Sequence, residues 1–194
     1  MTMGMKQTLD VINRMEADGV IGRYAIAGAV AAYNYVEPTL TDDIDLLISF
    51  NSELTMPQSA LITLEPIFSY LKERGYGEFR SEGVVIEGWP VQFLPVGNDL
   101  DAESLAQSME ITIRMPGSDG VVQTRLLRPE HVVATALRVG RPKDFIRIAQ
   151  FIEGNAVDLG LLRGVIQRHK LTEAWRSFCR RTGMTDPLSS QARP

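Results

Sequence analysis

The stretch Thr41-Asp42-Asp43-Ile44-Asp45-Leu46-Leu47-Ile48 decides the fold, because carboxylates alternate with apolar residues within it. Successive side chains of a β-strand point to opposite faces. If this stretch is a strand, Asp43 and Asp45 project together, while Ile44 and Leu46 face a core. Two carboxylates held side by side repel each other, and burying them unpaired costs free energy. A divalent cation resolves that repulsion, and Mg²⁺ prefers hard oxygen ligands shared with substrate phosphates.

The same acids also have a simpler interpretation. Asp42 and Asp43 would belong to a turn, and the carboxylates would be solvated at the end of a strand. Short motifs such as Asp-x-Asp occur by chance in many proteins, so the pair alone does not identify a metal site. The residues that precede it favour the metal site.

A short apolar segment, Tyr24-Ala25-Ile26-Ala27, precedes the acids and continues through Gly28 into a predicted helix. Glycine allows a sharp turn and a close approach of a ligand to the backbone. The first turn of a helix has free N–H groups and a partial positive charge, which suit a phosphate. A phosphate-binding turn and a metal-binding strand are therefore predicted within one segment, although Gly-Ala also begins many ordinary strand-to-helix turns.

Together these residues resemble the nucleotidyltransferase superfamily, which has the fold of DNA polymerase β. The signature of that superfamily is Gly-Gly or Gly-Ser, a short spacer, and Asp-x-Asp between apolar residues. Gly28 and Ala29 match the first part of the signature, and Asp43 and Asp45 match the second. Thr41 matches a threonine that is often found just before the acids.

A second motif extends the resemblance over residues 24–151. The segment Gly140-Arg141-Pro142-Lys143-Asp144 is similar to the Arg-x-Lys-Asp segment that opens a helix in the AbiEii-like and related branch. Cations at a helix start oppose the helix dipole, so Arg141 and Lys143 are candidates for holding a triphosphate. The alternative is that both are solvated and that Asp144 is an ordinary first-turn acid.

The resemblance implies that Asp43 and Asp45 bind Mg²⁺ and take part in catalysis. It further implies that a nucleoside triphosphate is held by a larger set of residues: Gly28, Ala29, Thr41, Arg141 and Lys143. The implied activity is transfer of a nucleoside monophosphate from the triphosphate to an acceptor. That acceptor would be RNA, a small hydroxylated molecule or a protein side chain.

The third carboxylate of the superfamily lies on a later strand, and Gln92 takes its place here within Val91-Gln92-Phe93-Leu94. Glutamine coordinates a metal through its amide oxygen or positions a water, but it cannot act as a general base. Glu87 and Glu110 are alternative third carboxylates. The glutamine leaves a second interpretation open: a weakly active or inactive protein of this fold that binds nucleotide or acts as a partner in a toxin–antitoxin-like pair.

Composition and charge narrow the class of protein. The hydrophobic fraction of 44% and the charged fraction of 23% are ordinary for a soluble globular protein. The net charge of −4 argues against strong sequence-independent binding of nucleic acid by a globally basic surface. Cys179 is the single cysteine, so an intramolecular disulfide and a multi-cysteine metal site are excluded. Without a membrane-spanning stretch of ~20 apolar residues or an apolar leader, a cytoplasmic protein with no membrane partner is expected.

Apolar periodicity predicts alternating helices and strands up to residue 126, followed by helices only. The predicted helices cover residues 6–18, 30–35, 57–74, 101–109 (with an aspartate cap), 130–139, 142–153, 158–169 and 171–181. The predicted strands cover 23–27, 43–50, 84–87, 91–96, 111–115 and 121–126, with turns at 88–90 and 116–120. His169 is expected at a solvated helix end.

These elements predict an α+β fold, in which helices flank a nucleotidyltransferase-like mixed sheet and a helical subdomain follows. The predicted divisions are an α/β core at residues 1–128, a helical subdomain at 129–186 and a flexible tail at 187–194.

Overall fold

The computed structural model describes residues 4–38, 41–50, 63–114 and 120–189 of the 194-residue chain. Within these ranges the chain has an α+β fold, with a seven-stranded open mixed sheet and eight helices. None of the helices in these ranges is long and apolar enough to cross a membrane.

The helices and strands follow one another along the chain as the sequence predicts, with an additional short strand before residue 83. In chain order they are α1 (Gly4–Ala17), β1 (Tyr24–Ile26), α2 (Gly28–Ala32), β2 (Ile44–Ile48), α3 (Glu65–Glu73), β3 (Phe79–Arg80), β4 (Gly83–Ile86), β5 (Trp89–Pro95), α4 (Asp99–Ala106), β6 (Met109–Arg114), β7 (Val121–Leu126), α5 (Pro129–Val139), α6 (Pro142–Glu153), α7 (Leu159–Arg168) and α8 (Thr172–Thr182).

The sheet has the strand order β3-β4-β5-β2-β1-β7-β6. Strand β2 pairs in parallel with β5, and β1 pairs in parallel with β7, while the remaining neighbours are antiparallel. Strand β2 therefore lies at the centre of the sheet, between β5 and β1. The acidic stretch that decides the fold is thus held on both sides by backbone hydrogen bonds.

Helices cover both faces of the sheet. On one face, the hydroxyl of Tyr24 donates a hydrogen bond to Oδ1 of Asn13 in α1, at 2.5 Å. Tyr24 pairs with Ile48 across β1 and β2, so the alternate residues Ile44 and Leu46 share its face, and both are fully buried. Asp45 points to the opposite face, where α2 and α4 contact β2 and α5.

Several predicted helix boundaries are wrong, and the largest differences are in the helices predicted at 57–74 and 101–109. The predicted helix over residues 57–74 begins at Glu65, because Pro66 lacks an N–H and its ring obstructs an earlier helical turn. Its predicted start at 57–62 lies outside the described residues. The predicted aspartate cap of the helix at 101–109 is Asn98 instead, whose Oδ1 accepts a hydrogen bond from the Asp101 N–H at 3.1 Å, and Met109 belongs to β6.

The turn predicted at residues 88–90 lies one residue earlier. Glu87 and Gly88 both have positive φ, at 51° and 88°, which matches the two central residues of a tight hairpin turn. Trp89 and Pro90 consequently belong to β5. The turn predicted at 116–120 lies mostly outside the described residues.

Glu103 in α4 joins the sheet region to the C-terminal helices. Its carboxylate lies 3.1 Å from Nε2 of His131 and 2.9 Å from Nε2 of His169, and it accepts a hydrogen bond from Nη2 of Arg168 at 2.6 Å. The expectation of a solvated His169 is therefore wrong, since its side chain is 11% exposed. The hydrogen bond from Arg168 is the main reason why the pKa of Glu103 falls from 4.5 to about 2.

We expect Glu103→Gln to lower the free energy of unfolding at pH 7 by about 1–3 kcal/mol. The reason is that the buried His131 and the half-buried His169 would lose the carboxylate with which they interact. A carboxylate with a depressed pKa stabilises the fold above its unfolded value of 4.5 and loses that contribution as the pH falls toward 2. The difference between wild type and variant should therefore narrow over this window. Urea titration followed by circular dichroism measures it.

The matched control is Glu173→Gln, which removes an exposed ion pair with Arg176. Such pairs contribute little, so we expect a change below about 0.5 kcal/mol. A Glu103→Gln variant as stable as this control, or a difference that stays constant with pH, would contradict the role given to Glu103.

Candidate active site

Asp43 and Asp45 lie at the start of the central strand. The strand begins at Ile44, so the prediction that Asp43 belongs to it is wrong by one residue, and Asp43 lies on the loop just before it. Asp43 is exposed, and its Oδ1 accepts a hydrogen bond from Oγ1 of Thr41 at 2.7 Å. Asp45 is half-buried on the face opposite Ile44. Both carboxylates line one cavity.

Gly28 packs directly against the carboxylate of Asp45. The helix predicted from residue 30 begins at Gly28, whose φ is +59°. A Cβ atom at this position would lie only 2.0 Å from Oδ2 of Asp45, so a side chain could not be accommodated without moving the carboxylate. The N–H of Ala27 donates to the carbonyl oxygen of Asp45 at 2.8 Å, which fixes the two segments together.

Gln92 is the neighbour of Asp45 on the adjacent strand. The parallel register of β2 and β5 pairs these two residues, so both side chains point to the same face. The amide Nε2 of Gln92 donates a hydrogen bond to Oε2 of Glu82 at 2.6 Å. Glu82 is a functional candidate that the sequence did not reveal, because only the strand register brings the turn before β4 to this place.

The cationic residues come from the start of α6. Helix α5 ends at Gly140, which adopts the left-handed conformation at φ +70°, and Pro142 then occupies the first turn of α6. Proline is favoured there because the first helical N–H needs no intrahelical partner. This sharp reversal places Arg141 and Lys143 beside the start of β2, in the cavity that Asp43 and Asp45 line.

Asp144 holds the two arginines of this helix. Its carboxylate has no solvent exposure and accepts hydrogen bonds from Nε of Arg141 at 2.8 Å and from the Arg141 N–H at 3.1 Å. Nη1 of Arg147 lies 3.6 Å from its other oxygen. Asp144 is thus a first-turn acid that caps α6 by accepting from the Arg141 N–H, as one interpretation of the sequence expects, and its carboxylate also holds the side chains of Arg141 and Arg147 beside the cavity.

Two adjoining cavities contain these residues. The inner cavity, of about 270 Å³, is lined by every predicted site residue except Gly28, which contacts Asp45, and by Ile146, Arg147 and Gln150. The outer cavity, of about 530 Å³, shares Asp43, Gln92 and Lys143 with the inner cavity and extends to Arg80 and Glu82. Sequence reasoning missed Ile146 and Gln150, whose helical positions become informative only once α6 is seen to face the acids.

The alternative third carboxylates lie elsewhere. Glu87 accepts a hydrogen bond from the hydroxyl of Tyr76, and Glu110 on the edge strand β6 forms an ion pair with Arg125 at 3.6 Å. Neither side chain lines the inner or the outer cavity. Strand order therefore rules out the suggestion that either of them completes the acidic pair.

The Asp45 carboxylate is a poorly stabilised anion. Burial is the main cause of its raised pKa, and the charge of Asp43 adds to the rise, while Arg141, Arg147 and Lys143 oppose it. Among the described residues, no side chain or backbone group donates a hydrogen bond to this carboxylate. A bound cation would supply the missing compensation.

The chemistry of these two acids is compatible with the magnesium ion that the resemblance implies. Within the described ranges, no group of three or more His, Cys, Asp and Glu side chains is placed to hold a metal. Mg²⁺ is commonly bound through one or two carboxylates, with waters and substrate phosphates completing its shell. Asp43 and Asp45 would supply those carboxylates, and Arg141, Lys143 and Arg147 line the same cavity.

Comparison of the chain with protein-family models and with curated proteins identifies no relative. No protein-family model matches the chain, and no curated protein sequence matches it. The resemblance to nucleotidyltransferases therefore stays a prediction based on the motifs and their arrangement.

We expect Gly28→Ala to weaken Mg²⁺ binding by about tenfold or more, which corresponds to 1.4 kcal/mol, because the new methyl group displaces the Asp45 carboxylate. The matched control is Gly183→Ala, since Gly183 also has a positive φ, at +69°, but has no atom within 4 Å of an added Cβ. Both variants should lose about 1–2 kcal/mol of stability from the left-handed backbone. Calorimetric titration measures the Mg²⁺ affinity of each variant. Equal Mg²⁺ affinities of Gly28→Ala and Gly183→Ala would contradict the role given to the contact between Gly28 and Asp45.

We expect Asp45→Asn to raise the free energy of unfolding by about 0.5–2 kcal/mol at pH 7 without divalent cations. A carboxyl group with a raised folded pKa loses stability as the pH rises through that value, so its neutral isostere is favoured at neutral pH. Adding Mg²⁺ should raise the melting temperature of wild type but not of this variant. The exposed Asp42→Asn serves as control, and a destabilised Asp45→Asn would contradict the account.

Proposed function

We propose that this protein is a Mg²⁺-dependent nucleotidyltransferase, which transfers a nucleoside monophosphate from a nucleoside triphosphate to an acceptor hydroxyl. One observation carries the proposal: a pair of carboxylates, one of them desolvated, shares a cavity with three cationic side chains beside a glycine-led turn. Carboxylates alone would suit a cation, and cations alone would suit a phosphate. Their combination suits a metal bound together with a polyphosphate.

The residues divide into two groups by role. Asp43, held by Thr41, and Asp45 would bind the cation, which when bound neutralises charge on the leaving pyrophosphate and orients the acceptor. The N–H groups of Gly28 and Ala29, at the start of α2, have no intrahelical partner and would contact a phosphate oxygen. Arg141, Lys143 and Arg147 would hold the remaining phosphates.

The charges of the site couple the two ligands. Arg141, Lys143 and Arg147 carry three positive charges, and the carboxylates of Asp43, Asp45 and Asp144 carry three negative ones, so the formal sum is zero. A triphosphate without a metal therefore meets a site with no excess positive charge. Binding of a divalent cation changes the sum to +2, so each ligand should raise the affinity for the other.

The outer cavity would hold the acceptor. It shares Asp43 and Gln92 with the inner cavity, so a hydroxyl group within it would lie next to the metal and the α-phosphate. The size of about 530 Å³ suits the end of an RNA chain, a small hydroxylated molecule or a protein side chain.

A second candidate function is a nucleotide-binding module without catalysis, acting as a sensor or as a partner in a toxin–antitoxin-like pair. The observation that favours it is the amide of Gln92 beside Asp45, because an amide cannot accept the proton of an acceptor hydroxyl. This candidate predicts nucleotide binding that depends on Mg²⁺ but no transfer.

Calorimetry with each of the four nucleoside triphosphates should show binding with Mg²⁺ and much weaker binding in the presence of a chelator. Incubation with α-labelled triphosphates and total RNA should then label an acceptor. Asp43→Asn and Asp45→Asn should each reduce labelling more than about a hundredfold, since metal-derived stabilisation is worth several kcal/mol. The control is Glu73→Gln, an exposed acid of α3 that lines neither cavity.

The outcomes separate the two candidates. Binding without transfer of label to RNA, to the protein itself or to water supports the non-catalytic module. Absence of Mg²⁺-dependent binding for every triphosphate would contradict both.

A further inference from the structure

Gln92 and Glu82 form the boundary between the two cavities. Gln92 lines both of them, whereas Glu82 lines only the outer one. The hydrogen bond from the Gln92 amide to Oε2 of Glu82, at 2.6 Å, joins the strand beside the acids to the turn that carries Glu82. Gln92 is neutral, but its hydrogen bond links the carboxylate of Glu82 to the site.

The turn that carries Glu82 is held close to β5. Ser81 has a positive φ of 54°, which turns the chain sharply between β3 and β4. Gly83 then lies against the β5 backbone, since a Cβ atom there would be only 2.9 Å from the N atom of Val91. This close packing brings the turn next to β5, where the Glu82 carboxylate accepts the hydrogen bond from Gln92.

The second oxygen of Glu82 remains available. Its Oε2 accepts the hydrogen bond from Gln92, while Oε1 has no hydrogen-bond partner among the described residues. The side chain is exposed to the outer cavity, which it shares with Asp43. A carboxylate with one oxygen fixed and one open is suited to accept a proton from a bound hydroxyl group.

We propose that Glu82 is the general base of the transfer reaction and that Gln92 is its positioning residue. This inference rests on the proposed function. The acceptor oxygen attacks the α-phosphorus of the triphosphate, and the bond from the α-phosphorus to the oxygen bridging to the β-phosphate breaks. That electron pair leaves with pyrophosphate, and the hydroxyl proton passes to Oε1 of Glu82, which returns it to solvent.

The assignment explains why an amide can stand beside Asp45. A third carboxylate at position 92 would be the direct neighbour of Asp45 on the adjacent strand, roughly 4.8 Å away between backbones. Such a carboxylate would further destabilise the charged form of Asp45, because burial and the charge of Asp43 already raise the pKa of Asp45. Placing the base on the turn moves its charge away from the desolvated pair and toward the acceptor.

The test measures pyrophosphate release from Mg²⁺ and the four triphosphates, with total RNA and with water as acceptors. Glu82→Gln should reduce kcat by about 10²–10⁴-fold, the range for a lost general base. Its Kd for the Mg²⁺-bound triphosphate should stay within about twofold of wild type, because Glu82 takes no part in nucleotide binding. The matched control is Glu87→Gln, an exposed acid in the turn at the other end of β4, which should leave kcat unchanged.

Chemical rescue distinguishes a base from a structural support. Formate added to Glu82→Ala should restore part of the lost kcat, because a small carboxylate can occupy the space of the missing side chain. It should not change the rate of Glu87→Ala. A Glu82→Gln variant with near wild-type kcat, a parallel loss of nucleotide affinity, or a Glu82→Ala variant that formate does not rescue would overturn the inference.

Failure of the proposed function gives a different result. If wild type binds the Mg²⁺-bound triphosphate but releases no pyrophosphate, catalysis and the role of Glu82 are both rejected while nucleotide binding stands. If wild type is active and Glu82→Gln is equally active, only the role of Glu82 is rejected.

Discussion

The half-buried carboxylate of Asp45 is the constraint on which the site depends. The fold places it on the central strand, beside the charge of Asp43 and away from any hydrogen-bond donor in the described part of the chain. Its surroundings follow from this position. Position 28 must be glycine, because a side chain there would collide with the carboxylate, and cations from α6 are brought near enough to offset part of its charge. The part of the charge that these cations leave uncompensated is the basis for proposing a divalent ion at this place.

Asp144 shows that the same fold can satisfy a buried acid when the acid has a structural role. It is less exposed than Asp45, yet it accepts hydrogen bonds from the backbone and side chain of Arg141 and lies within ion-pair distance of Arg147. A buried acid with donors contributes to structure, whereas a buried acid without donors costs free energy. This contrast between two acids of one site is the reason why the proposal assigns Asp45, and not Asp144, to ligand binding.

Local patterns predicted much of this arrangement, and contacts between distant segments account for the rest. The Asp-x-Asp alternation, the glycine before α2 and the Arg-x-Lys-Asp segment are each visible within a few residues, and the alternation of apolar residues gave the order of strands and helices along the chain. Pro66 and Asn98 moved helix boundaries that periodicity alone could not define. The hydrogen bond between Gln92 and Glu82, and the burial of His169 against Glu103, depend on strand register and helix packing, which no local pattern encodes.

The proposed site keeps the charge of Glu82 apart from the charges of Asp43 and Asp45, and the neutral Gln92 lies between them. Metal binding requires carboxylates close together, and each added carboxylate raises the cost of the empty site, since Coulomb repulsion grows as charges approach in a medium of low dielectric constant. The neutral amide of Gln92 beside Asp45 avoids that cost. It also positions the Glu82 carboxylate, because its N–H donates a hydrogen bond to Oε2 of Glu82 at 2.6 Å. In the proposed reaction the metal ligands lie at the start of β2 and the proton acceptor lies on the turn before β4. A sheet that pairs β2 with β5 and β5 with β4 brings these segments to one place.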